Sequence, residues 1–143
     1  MLFTAQAVTP NKSMTATEHN NIIGILHLVE GGLQIVLAVF LAFICFGAGY
    51  FFRANVGVKD SEMIGTILLI TGLVIAPVIF ILSAINIIAG WKMLKEKGGA
   101  RTWGIIASII CLFNIPFGTA LGVYGLWFLY GVEGKEMYPS DTK

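Results

Sequence analysis

The chain has 143 residues, 57% of them hydrophobic and only 12% charged, and its net charge is +1. Its mean hydropathy of +0.84 exceeds that of an ordinary soluble domain, so an integral membrane protein with the lipid bilayer as its first partner is expected. No basic field exists to attract nucleic acid, which excludes that class of partner.

In chain order, residues 1–14 are small and polar, with a turn at Pro10-Asn11, and read as a flexible or surface-lying arm. No basic segment precedes the first apolar stretch, so that stretch is expected to stay as an anchor and not to be cleaved as a signal. Thr15 followed by Glu18 fits a capping box and predicts a helix from about Ala16. The apolar run from Asn21 to Phe52 would span on the order of 45 Å as helix, against a hydrocarbon core of roughly 30 Å. Either this helix tilts or projects, or it ends near Gly47-Ala48-Gly49.

Residues 53–62 form the first polar loop, and Ser61 is the expected N-cap of a second long helix over Met63–Lys95 that contains Pro77. Trp91-Lys92 reads as an interfacial anchor. Lys92, Lys95, Lys97 and Arg101 face Glu96 alone in the next loop, which the positive-inside rule places in the cytoplasm. From Trp103 to Tyr130 the apolar character resumes, cut by Asn114 and Pro116 into two pieces of about 13 to 15 residues, each short for a crossing. Two arrangements follow: a tight turn at NIPFGT between two short helices, or a kink in one long helix. Asn-x-Pro followed by Gly118 and Thr119 favours the turn.

The expected fold is therefore all-α, a polytopic transmembrane helical bundle of four helices over residues 15–132: two long helices plus a short helical hairpin. A short polar tail follows over 133–143. Both termini are expected in the cytoplasm. The buried turn should have Asn114 and Thr119 bonding backbone groups freed at Pro116, with the long helices shielding it, because irregular backbone in hydrocarbon needs cover.

Glu30 is the residue most at odds with its surroundings. It lies roughly 10 to 15 Å along the first apolar run, and His27, Glu30 and Gln34 share a helical face. Ser83 and Asn86 on the second long helix reach a comparable depth, so these five are expected to form a buried polar cluster. An unpaired carboxylate in hydrocarbon costs at least a few kcal/mol. Three readings remain open: a structural network satisfied by His27, Asn86 or backbone; a polar pathway for protons, ions or a small solute; and a metal or haem site at His27.

The metal reading lacks partners, since the later apolar segments contain no Glu or His, and no metal or cofactor is expected. Cys45 and Cys111 lie in apolar runs and read as buried small hydrophobes. No catalytic triad, phosphate loop or paired carboxylates occur in a polar segment, so an enzyme is not expected.

Gly118, Gly122 and Gly125 fall at i, i+4 and i+7, with Gly104 and Ser108 on the preceding piece. Such stripes allow close helix approach, either within the chain or between copies. Gly31-Gly32 beside Glu30 suits the same use. Tyr124, Trp127 and Tyr130 read first as an interfacial aromatic belt.

Residues 103–131, WGIIASIICLFNIPFGTALGVYGLWFLYG, resemble the closing segment of a widespread group of small bacterial multi-pass membrane proteins of unassigned function. The pattern N-x-P-x-G-T-A-L-G-x-Y-x-L-W is matched by Asn114, Pro116, Gly118, Thr119, Ala120, Leu121, Gly122, Tyr124, Leu126 and Trp127. GILHLVEGGLQIV is similar to that group's first helix. The resemblance implies a bacterial inner-membrane helical bundle and no defined activity. The expected role is thus assembly, as a homo-oligomer or as an accessory subunit with another membrane protein; the alternative is an oligomeric channel or small transporter with a polar path past Glu30.

Overall fold

The computed structural model describes residues 14–54 and 60–139. The N-terminal arm up to residue 13, residues 55–59 of the first polar loop and residues 140–143 of the tail lie outside them. Among the described residues the chain is helical, with no strand: α1 Ala16–Ala54, α2 Ser61–Leu94, α3 Ala100–Cys111, α4 Phe117–Tyr130 and α5 Val132–Met137.

Thr15 and Glu18 close the capping box as expected. The Thr15 N–H donates to Glu18 Oε2 at 2.8 Å and the Glu18 N–H donates to Thr15 Oγ1 at 3.3 Å, which satisfies donors left over at the helix start. From there α1 runs through Gly47-Ala48-Gly49 without a break for 39 residues, roughly 58 Å. The second helix has 34 residues and carries Pro77 inside it. Both are long and apolar enough to cross a membrane. Ser61 is not the N-cap: Asp60 holds that position with φ 66° and no side-chain cap bond, and Ser61 is the first helical residue. Aspartate tolerates this left-handed geometry better than most residues, which shifts the start by one position.

The two long helices pack antiparallel on small residues. Gly24 lies against Gly90, Gly31 against Ser83 and Gly49 against Gly65; a Cβ at Gly90 would meet the Gly24 carbonyl oxygen at 2.5 Å, and one at Gly65 would meet that of Gly49 at 2.6 Å. On α1 the buried small residues Gly24, Gly31, Ala38 and Cys45 recur every seven positions, the spacing of a continuous helix seam. Of the Gly31-Gly32 pair only Gly31 serves this contact, because Gly32 faces open space.

At residues 112–116 the chain turns, and α3 and α4 pack against each other as a hairpin. The glycine stripe faces inward: Gly118 meets Asn114 and the Cys111 carbonyl, Gly122 the Ser108 carbonyl and Leu112, and Gly125 the Ser108 side chain and Ile23. This face is used up inside the chain, so contacts between copies must use another. With 12 and 14 residues, these helices reach only roughly 18 and 21 Å.

A fifth helix, α5, occupies the start of the expected polar tail, which raises the expected four helices to five. Gly134 is buried against the end of α4, and the buried Tyr138 donates its hydroxyl to Asn20 Oδ1 at 2.8 Å. The apolar core lies where the hairpin and α5 meet the start of α1 and the end of α2, around Ile23, Met93, Cys111, Leu121, Phe128 and Leu129. Beyond the hairpin, among the described residues, α1 and α2 pair only with each other and present large apolar side chains outward, Phe43 at 76% exposure among them.

Candidate functional site

A chain of side chains crosses from α3 through α1 and α2 to the hairpin turn. His27, fully buried, has Nε2 at 3.3 Å from Ser108 Oγ and Nδ1 at 3.8 Å from Cys111 Sγ. The Cys111 thiol donates to Asn86 Oδ1 at 3.3 Å, and Asn86 Nδ2 donates to Gln34 Oε1 at 3.3 Å. Gln34 Nε2 donates to Glu30 Oε1 at 3.3 Å, and Asn114 Nδ2 donates to the same carboxylate oxygen. Small residues make this possible, because Gly31 brings the α1 backbone onto Ser83 and Asn86 and lets polar tips meet across the seam.

Four of the five expected cluster residues are joined in this way, but not in the expected pattern. His27 turns into the core toward α3, and Glu30, three residues on, turns toward α4; its donors are Asn114 and Gln34, and Asn86 reaches it only through Gln34. Ser83 is buried but stands outside the chain, its hydroxyl donating to the carbonyls of Ile79 at 3.2 Å and Phe80 at 3.4 Å in its own helix. A helical serine can donate to the carbonyls three and four residues back, which sequence depth alone does not reveal. Both nitrogens of His27 have partners inside the protein, Ser108 and Cys111.

Thr119 behaves at the turn as its type predicts, donating Oγ1–H to the Leu112 carbonyl at 3.1 Å. Asn114 instead spends its amide on Glu30. Pro116 follows a cis peptide bond and stands at the N-cap of α4. The expected shielding by the long helices is absent among the described residues: Phe113, Ile115 and Phe117 are 85%, 81% and 83% exposed. The reason is geometric, since Glu30 and Asn114 hold the turn beside α1 and leave its outer face clear.

A groove of about 760 Å³ runs between α1 and α4, walled by Leu26, Val29, Leu33, Ile115, Phe117 and Leu121, with Glu30, Gln34, Asn114 and Tyr124 as its polar lining. Glu30 is half-buried. Its Oε2 takes no hydrogen bond, and no unpartnered buried side-chain oxygen exists among the described residues, so Oε2 opens on the groove. Among the described residues no Lys, Arg or His lines it.

At the opposite end, His19 Nδ1 lies 2.6 Å from the Tyr124 hydroxyl, giving this aromatic a bonded role beside its interfacial one; Trp127 and Tyr130 stay exposed. Arg101, counted from sequence among the basic residues of the loop after α2, is buried and donates Nε–H to the Leu129 carbonyl at 3.1 Å, satisfying an acceptor in the last turn of α4. Lys92 sits 5.3 Å over the Trp103 ring, a cation–π contact. Sequence reasoning missed Asn20, whose Nδ2 donates to the Met93 carbonyl at 2.8 Å, and it treated Ser108 and Cys111 as packing residues. Their i, i+3 spacing was the available sign that both face His27.

Comparison with family models, with curated proteins and with solved structures found no match.

Proposed function

We propose that this chain is a non-catalytic, multi-pass protein of the bacterial inner membrane that works by assembly, as a homo-oligomer or as an accessory subunit of a membrane complex. The observation that carries this reading is the exposed turn at residues 112–116. From Ala100 the 12 residues of α3 advance roughly 18 Å, so in a bilayer of roughly 30 Å the turn lies inside the hydrocarbon. The N–H groups of Ile115 and Phe117 have no backbone acceptor among the described residues. Irregular backbone at that depth is tolerated only under protein or water, and a second polypeptide over Phe113, Ile115 and Phe117 provides the cover.

The resemblance of the closing segment to small bacterial multi-pass proteins belongs to the same proposal and supports the bundle and its membrane. In the proposed topology the N-terminus, the loop 92–101 and the C-terminus are cytoplasmic and the loop 53–62 is outside, with α3 and α4 entering and leaving on the cytoplasmic side. A second reading, a channel or small transporter, is favoured by one observation only, the open Oε2 of Glu30 beside the groove.

The test is the mass of the purified protein and of whatever accompanies it in mild detergent. A defined oligomer or stoichiometric partner is expected; a lone monomer in both detergent and lipid nanodiscs would overturn assembly. Topology is checked by labelling Asp141→Cys with an impermeant maleimide in intact cells. Protection is expected, and modification from outside would place the C-terminus in the periplasm.

A further inference from the structure

We infer that the groove between α1 and α4 binds an amphiphile bearing a primary or secondary ammonium group, with the Glu30 carboxylate as its counter-ion. The argument starts from how Glu30 is held. Two amide donors, Asn114 Nδ2 and Gln34 Nε2, converge on Oε1, which fixes the carboxyl group and leaves Oε2 directed into the groove. Among the described residues no cationic side chain lines that space; His27 is committed to Ser108 and Cys111, and His19 bonds the Tyr124 hydroxyl. A fixed carboxylate in apolar surroundings without a counter-charge is costly, and an ammonium beside it gains more there than in water.

The walls select the rest of the ligand. Leu26, Val29, Leu33 and Leu37 descend one side and Ile115, Phe117 and Leu121 the other, leaving a volume of about 760 Å³ that suits an alkyl chain or a small ring system. An ammonium offers the N–H donors that Oε2 lacks, whereas a lipid tail or an alcohol supplies no charge. The groove shares Ile115 and Phe117 with the exposed turn on which the assembly reading rests, but the ammonium site depends on the Glu30 carboxylate and not on the covering of that turn.

The experiment uses the full chain in phospholipid nanodiscs and radiolabelled dodecylammonium, with empty discs subtracted for partitioning. Saturable binding is expected, weakened at least about tenfold in Glu30→Gln, as loss of one member of a charge pair implies. Glutamine keeps an oxygen for Asn114 and Gln34, so the fold should hold. Leu33→Trp, which fills the groove from a 55% exposed position, should remove binding without touching Glu30. Dodecanol should show no saturable component. Equal affinity in Glu30→Gln, equal saturable binding of dodecanol, undiminished binding in Leu33→Trp, or no saturable binding at all would each overturn the inference; the last would mean that lipid or a partner side chain already fills the groove.

Discussion

Gly90→Leu is expected to unpack the pair of long helices and to cost roughly 3 kcal/mol, the upper range for overpacking a tight contact. The new side chain would start 2.5 Å from the Gly24 carbonyl oxygen and 3.0 Å from the Leu28 backbone nitrogen. Neither is a flexible tip that can swing aside. Gly32→Ala and Gly47→Ala are the controls, since a Cβ at either meets nothing within 4 Å, and a helix-interior alanine gains up to about 1 kcal/mol over glycine. Thermal or denaturant unfolding in one detergent would rank the three variants. A Gly90→Leu protein as stable as Gly32→Ala would mean that the helices do not meet in this register.

The second large effect belongs to Asn86→Leu, with an expected loss of about 2 kcal/mol. Asn86 is fully buried and bridges the Cys111 thiol to Gln34. Leucine is close in size, so the loss comes from two polar groups, the Cys111 thiol hydrogen and Gln34 Oε1, that lose their Asn86 partner, and each buried unsatisfied group costs on the order of 1 to 3 kcal/mol. Asn114→Leu should cost less, because Asn114 is exposed on the groove and Gln34 still donates to Glu30. Ser83→Ala should be near neutral, its hydroxyl bonding only its own helix. If Asn86→Leu and Ser83→Ala unfold alike, the linked side chains contribute nothing beyond packing.

The elements were legible because each carried a local signal. Thr15 with Glu18 announced the start of α1, the charged loop after Trp91 marked the end of α2, and Asn114 with Pro116 announced the turn. Depth along a helix also grouped His27, Glu30, Gln34 and Asn86 correctly by level. What depth could not give was direction: His27 and Glu30 are three residues apart, yet they meet different partners, Ser108 and Cys111 on α3 for His27 and Asn114 at the turn for Glu30. The short α5 was hidden in a polar stretch where capping and burial, not hydropathy, decide the helix. The seam through Gly24, Gly31, Ala38 and Cys45 was present in the sequence as a seven-residue repeat, but small apolar residues are easily lost in a run where everything is apolar.

The unequal lengths of the two helix pairs have a mechanical consequence in a bilayer. Exposed apolar side chains on α1 extend from Ile22 to Phe51, roughly 44 Å of helix. Upright, that length overshoots a hydrocarbon slab of roughly 30 Å; leaning by about 40°, the steep end of what membrane helices adopt, it fits to within a few ångströms. The short hairpin packs against only one end of this long pair and reaches roughly 18 to 21 Å, so the bundle is broad at that end and narrow at the other. Were both long helices to cross a bilayer, this lopsided cross-section would act as a wedge.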